Sequence, residues 1–189
     1  MLRKKIFKCK AYAKINLFLN VLNKTKNNLH KLKSLVCFID LYDEIVITES
    51  KEFSIKIKGP FKNFIKKNII EKTFVTFSNF INLKTNYKIS LNKKIPVSAG
   101  LGGGSADAAV VLQGLNLLNK KKIKQKDLFK IAMKIGFDVP ACLYNKNVFF
   151  SGHGQILSKA PKIPQFSILL INPRKELSTK KIFSLYKSK

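Results

Sequence analysis

Three consecutive glycines, Gly102-Gly103-Gly104, stand inside the longer run Pro96-Val97-Ser98-Ala99-Gly100-Leu101-Gly102-Gly103-Gly104-Ser105-Ala106-Asp107-Ala108-Ala109. Upstream, the alternation of Tyr87, Ile89 and Leu91 predicts a strand that ends at Pro96. Downstream, small residues open a helix that runs through Leu118. A backbone without side chains at such a junction can wrap closely around a ligand. The free N–H groups and positive dipole end of the following helix favour a phosphate. Ser105 is placed to cap that helix and to donate to a phosphate oxygen. A flexible linker or a tight strand–helix turn would read the same way. The run is not a Walker A sequence, because no G-K-[ST] follows. Nor is it a G-x-G-x-x-G fingerprint, because Ser105 holds the place of the last glycine.

Around this junction the pattern alternates between the two periods. Residues 6–22 read as a half-buried strand with Ile15, Leu17, Leu19 and Val21 on one face, and Asn27-Asn28 marks the turn after it. Residues 34–49 and 53–58 read as strands, the second with Phe53, Ile55 and Ile57 inward and Lys56 and Lys58 outward, before a break at Gly59-Pro60. From Asn68 the period becomes helical, with Ile69, Ile70, Thr73, Phe74, Phe77, Phe80 and Ile81 on one stripe. Leu128, Ile131, Ala132 and Ile135 form a further helical stripe, closed by Gly136. Residues 148–150 and 166–171 read as strands, and the lysine clusters at 62–67 and 120–126 as loops. Strands mixed with helices in this order predict an α+β domain with helices on one face of a mixed sheet.

The charge calls for a decision about partners. The net charge is +27, which raises nucleic acid as a ligand. All but two of the 37 basic residues are lysines, the exceptions being Arg3 and Arg174. Nucleic-acid readers draw on arginine for bidentate and stacking contacts. Lysine here accompanies Ile, Asn and Phe in a chain without Trp, the mixture expected of an A- and T-rich genome with lysine on solvated faces. Such a charge attracts polyanions without specificity. The 46% apolar content suffices for a core. No apolar run reaches the roughly 18 residues of a membrane span, and the basic N-terminus lacks the apolar stretch of a signal peptide. The expectation is a soluble, cytoplasmic protein. Cys9, Cys37 and Cys142 are widely spaced and far from His30 and His153, so free thiols are expected and no metal site.

The glycine run resembles the phosphate-binding motif of the GHMP kinases. Ala13-Lys14-Ile15-Asn16-Leu17-Phe18-Leu19 is similar to the N-terminal strand of the diphosphocytidyl-methylerythritol kinases within that superfamily. Gly136-Phe137-Asp138-Val139-Pro140 resembles their Gly-Ala-Asp-Val-Pro segment. Ser151-Gly152-His153-Gly154-Gln155-Ile156-Leu157 matches their Gly-x-Gly-Glu region, with Gln155 in place of Glu. The order and spacing of these motifs extend the resemblance over essentially all 189 residues.

That resemblance implies a GHMP kinase N-terminal ATP-binding domain over residues 1–158, akin to domain 2 of ribosomal protein S5. Residues 159–189 would begin a truncated C-terminal domain. It implies transfer of the γ-phosphoryl group of ATP, with Mg²⁺, to the 2-hydroxyl of a small cytidine diphosphate-linked substrate. Lys14 and Asp138 would be the catalytic pair, and the loop from Pro96 to Ala106 would hold ATP, with Asn68 near the adenine. Asn16, His30 and Phe183 would contact the cytidine-linked substrate. Where the family shows a stacking Tyr before the His, this chain has Leu29, which cannot stack in that way. The roles are chemically coherent: a carboxylate can orient an acceptor hydroxyl and take its proton, and a nearby cation offsets charge on the transferring group. Taken singly, Asp138 also reads as a helix cap, Lys14 as one more solvated lysine and Phe183 as a core aromatic. Two other functions fit parts of the sequence, a basic RNA-binding module and an inactive or split remnant of the kinase. Neither a specific nucleic acid nor a membrane is expected as partner, and the oligomeric state is not legible. No glycine follows Gly154, so the third glycine-rich motif of the superfamily is not within these 189 residues. The chain alone is expected to be a poor or inactive kinase.

Overall fold

The computed structural model describes residues 5–24, 30–65, 68–172 and 182, with the backbone alone at 23, 24 and 30. Two long strands, β1 (Ile6–Lys24) and β2 (His30–Ser50), run antiparallel, with β2 at the centre of the sheet and β1 along one side of it. The second half of β2 pairs with β4 (Asn86–Asn92), and its first half pairs with β5 (Val148–Gly152) on the same side. β3 (Ser54–Lys58) lies parallel to β4, and β6 (Ile156–Lys159) lies antiparallel to β5. The sheet is therefore mixed, as the sequence predicts. Buried Asp43, Ile45 and Ile47 alternate with half-buried Glu44 and Val46, the period-two signature of a strand with one covered face.

The covering layer is helical: α1 (Ile69–Ile81), α2 (Gly103–Leu118), α3 (Gln125–Ile135) and α4 (Val139–Tyr144). The opposite face of the sheet carries exposed Lys8, Lys10 and Lys88. α2 sits at the centre, and Ala106, Ala108, Ala109, Val111, Leu112 and Leu115 are all buried in one cluster with Ile45, Ile47, Ile89 and Leu91. Its small residues let the helix axis come close to β1, where Ala11 and Ala13 are equally buried. α1 buries Ile70, Thr73 and Phe77, and its Phe74 stacks on Phe53 at 3.9 Å between ring centroids. Phe80 of the expected stripe faces outward and is exposed. α3 buries Leu128, Ile131, Ala132 and Ile135. Gly136 closes α3 as expected, but in extended backbone at φ −178° rather than left-handed.

Three expectations require correction. Leu17 and Leu19, assigned to an inward face of β1, are about 40% exposed, because the inward residues are Ala11 and Ala13 nearer the helices. Residues 166–171 form no strand: Leu169 and Ile171 are more than 80% exposed, and the segment has no ladder partner among the described residues. α4 entered the sequence reading only as the helix that Asp138 could cap, because six residues hold less than two helical turns and Pro140 obscures the signal, although Pro is accepted in a first turn. The cluster at 62–67 contains a single 3₁₀ turn at Lys62–Phe64, and that at 120–126 ends inside α3. Among the described residues no helix is long and apolar enough to cross a membrane.

Candidate active site

The glycine run forms the floor of a cleft of about 850 Å³ between β1, the start of α1 and the start of α2. Its backbone turns through left-handed conformations at Ser98 (φ 57°), Gly100 (φ 74°) and Gly102 (φ 65°). Gly102 is the N-cap of α2, and no side chain caps that end. Ser105 therefore lies inside the first turn instead of capping it. The first bond of the helix is Ala106 N–H to Gly102 O at 2.9 Å. The N–H groups of Gly103, Gly104 and Ser105 precede that bond, have no intrahelical acceptor, and belong to residues that line the cleft. A helix end of this kind is an anion cradle by geometry and by dipole.

β1 brings Lys14 to the same place. The β1–β2 register shifts beside it: Tyr12 faces Tyr42 but Lys14 faces Phe38, so one residue of β1 opposes three of β2. Irregularities of this type re-aim a side chain. The Lys14 backbone N–H donates to Leu101 O at 2.9 Å, which ties the strand to the loop. Its aliphatic stem fills the space that a side chain at Gly102 would occupy: a Cβ there would lie 2.7 Å from Lys14 Cγ. The buried ammonium ends 3.4 Å from Asp138 Oδ2 and 3.5 Å from Asn16 Oδ1. Ser34 Oγ, donating to Phe18 O at 2.6 Å, lies 3.2 Å from the same Asn16 oxygen.

Asp138 precedes α4 as its N-cap residue, but its carboxylate makes no capping bond. The side chain is 43% exposed and faces the cleft. The plain capping reading of Asp138 therefore does not hold, and Lys14 is not a solvated surface lysine. The β5–β6 turn supports this segment from behind, with Gly154 packed so closely on Phe137 O that a Cβ would lie 2.4 Å away. Gln155 has its own task in that turn, accepting the His153 N–H at 2.6 Å.

Asn68 lines the cleft and caps α1, its Oδ1 accepting the Ile70 N–H at 3.1 Å. His30 is described in backbone only, opposite Lys24 at the start of β2. Leu29 and Phe183 lie outside the described residues. The structure thus brings together Lys14, Asn16, Asn68, Asp138 and the glycine loop.

Three further residues at this site escape a reading of the sequence. Lys93 Nζ lies 2.5 Å from Asp43 Oδ2 and 2.7 Å from Asp107 Oδ2, and all three side chains are buried. Burial pushes the Asp107 carboxyl up to about 8. The available signals were weak: Asp43 shares the inward register of Ile45 and Ile47, and Asp107 interrupts the small apolar start of α2. Cys142, in α4 behind the Lys14–Asp138 pair, is pushed up to about 12 by burial and is an inert thiol.

Residues 63–146 match the model of the GHMP kinases N terminal domain. A 4-diphosphocytidyl-2-C-methyl-D-erythritol kinase from Lachnoclostridium phytofermentans is 37% identical over 180 residues, covering 94% of this chain and 62% of that protein. Its counterpart from Lachnospira eligens is 36% identical, covering 92% and 61%. A crystal structure of 4-(cytidine 5'-diphospho)-2C-methyl-D-erythritol kinase superposes with a TM-score of 0.68 at 30% identity, covering 82% of this chain and 55% of the other. Mevalonate kinase from Methanococcus jannaschii shares the fold at 16% identity, with a TM-score of 0.58. The chain spans about three fifths of the length of the curated relatives it matches.

Proposed function

We propose, from the match of residues 63–146 to the GHMP kinases N terminal domain and the similarity over most of the chain to 4-diphosphocytidyl-2-C-methyl-D-erythritol kinases, that the chain binds ATP and serves phosphorylation of the 2-hydroxyl of that diphosphocytidyl alcohol. The observation that carries this reading is the Lys14–Asp138 pair, 3.4 Å apart beside the glycine cradle. Polyphosphate would rest on the N–H groups of Gly103, Gly104 and Ser105, with the γ-phosphoryl group toward Lys14. The acceptor hydroxyl would lie against Asp138. The hydroxyl oxygen attacks the γ-phosphorus, its proton passes to Asp138, and the bond to the β-phosphate oxygen breaks to release ADP. Phosphoryl transfer of this kind relies on in-line positioning and charge compensation rather than covalent help from the protein.

Asn16, held beside Lys14, faces the same acceptor side of the cleft. His30 and Phe183 remain the proposed contacts for the cytosine, and Asn68 for the adenine. Mg²⁺ would arrive with the nucleotide. Among the described residues no group of three or more His, Cys, Asp or Glu gathers to hold a metal, and magnesium keeps water and substrate phosphates as most of its ligands.

ADP release from ATP in the presence of the diphosphocytidyl alcohol tests the reading. In a version extended to the full length of the relatives, Asp138→Asn is expected to lower turnover by about 10²–10⁴, the usual weight of a positioned acid–base group, with little change in ADP affinity. Turnover equal to the parent's would remove Asp138 from the chemistry, and phosphate transfer to water alone would refute the acceptor.

A further inference from the structure

Asp43, Lys93 and Asp107 come from three elements and meet directly behind the glycine loop. Asp43 is on β2, Lys93 follows β4, and Asp107 lies early in α2. Both oxygens of Asp43 are occupied: Oδ2 by Lys93, and Oδ1 by the N–H groups of Lys94 at 2.5 Å and Ile95 at 2.9 Å. Asp107 differs. Its Oδ2 takes the second Lys93 bond, while its Oδ1 is buried with no hydrogen-bond partner. The side chain is only 2% exposed, yet Asp107 and Lys93 both line the cleft. A Cβ at Gly103 would lie 3.1 Å from Lys93 Nζ, so the cluster sits against the loop itself.

One ammonium between two carboxylates leaves one negative charge uncompensated. That charge would stand behind the cradle that is to receive a polyphosphate, with little water to screen it. A buried carboxyl oxygen without a donor is also costly in its own right. One proton on that oxygen removes both costs, and Asp107 Oδ1 is the position in the cluster with room for it.

Resting on the nucleotide-binding reading above, we infer that Asp107 is a proton-linked element of the anion cradle: polyphosphate seats on the glycine loop together with uptake of one proton from solvent at Asp107 Oδ1. The Lys93–Asp43 pair then stands neutral behind the bound anion. The other groups around Asp107 leave this role to it. Cys142 of α4 is a neutral thiol, its titration pushed far above neutrality by burial. Lys14 of β1 and Asp138 before α4 pair with each other across the cleft. α1 contributes the uncharged Asn68, Ile69 and Ile70 to the cleft. On α3, Lys126, Lys130 and Lys134 are exposed, and Asp127 pairs with Lys130. Burial holds Asp107 near 8 in the free protein, so the uptake belongs at and above that pH. Below it, the proton is already in place and binding adds little.

Calorimetric titration of the 189-residue chain with ADP, in buffers of different ionisation enthalpy, counts the protons. Uptake is expected to be small at about pH 7 and to rise toward one just above about pH 8, with ADP affinity falling up to about tenfold per pH unit across that window. Asp107→Asn, nearly isosteric and neutral, is expected to bind ADP with neither the uptake nor the slope. Unchanged uptake in that variant would move the proton to another group. If the variant does not fold, the parent's profile still decides, because no uptake at any pH overturns the inference. Absence of ADP binding at every pH would instead overturn the nucleotide-binding reading, and this inference with it.

Discussion

Lys14 has its stem packed on Gly102 and its ammonium between Asn16 and Asp138, so it depends on the absence of one side chain. Gly102→Ala puts a methyl 2.7 Å from Lys14 Cγ and 2.8 Å from Cε, and forces a non-glycine residue into φ 65°. The backbone conformation alone costs about 1–2 kcal/mol, and urea unfolding should show a loss of that order. On the proposed mechanism turnover should fall further, because displacing Lys14 by about 1 Å can cost roughly 10²-fold. A variant that loses stability but keeps its turnover would separate Lys14 from the chemistry. At this scale the sequence was partly readable. Lys14 and Asp138 were found because each stands inside a motif whose neighbours constrain it. Lys93 was not, because it is one lysine among many and follows its strand with no local mark. What distinguishes Lys93 is Asp43, fifty residues earlier, and only the pairing of β2 with β4 brings the two together.

α2 shows how an element can be specified by what it lacks. Gly114 of this helix is pressed by Phe7 Cδ1 and Ile47 Cδ1, which would lie 2.5 and 2.7 Å from a Cβ. Alanine gains about 1 kcal/mol over glycine in helix propensity, but inserting a methyl into a filled core costs about 1–3 kcal/mol. The clash should outweigh the propensity, so Gly114→Ala is expected to unfold at lower urea; a rise in the midpoint would mean that Phe7 moves aside freely. The longer elements were legible because their periods repeat: α1 spans 69–81 as the stripe requires, and β3 and β4 lie where alternation puts them. Residues 166–171 were misread for the converse reason. A short apolar run carries β propensity, but a strand also needs a neighbour, and this segment has no ladder partner among the described residues.

Over the whole molecule two kinds of attraction for anions coexist. Surface lysines are spread over the outer sheet face, the 120–122 turn and α3. Their field reaches only about 10 Å at 0.1 M salt and about 3 Å at 1 M. The cradle acts at contact distance through main-chain donors in a recess. RNA retention on filters should therefore vanish between low and high salt, while ADP binding declines only modestly; parallel loss of both would place ADP on the lysine surface. The cradle has a bearing on descent as well. Four of the nine glycines in this chain lie between residues 100 and 104, in a composition otherwise weighted toward lysine, isoleucine and asparagine. A biased codon supply can exchange one surface side chain for another at little penalty. Main-chain N–H groups are the same in every residue but proline, so the donors themselves are beyond the reach of that bias. What a side chain can attack is the space around them: a Cβ at Gly102 would lie 2.7 Å from Lys14 Cγ and one at Gly103 2.9 Å from Ile95 Cγ2, so at these two positions the missing atom is itself part of the cradle.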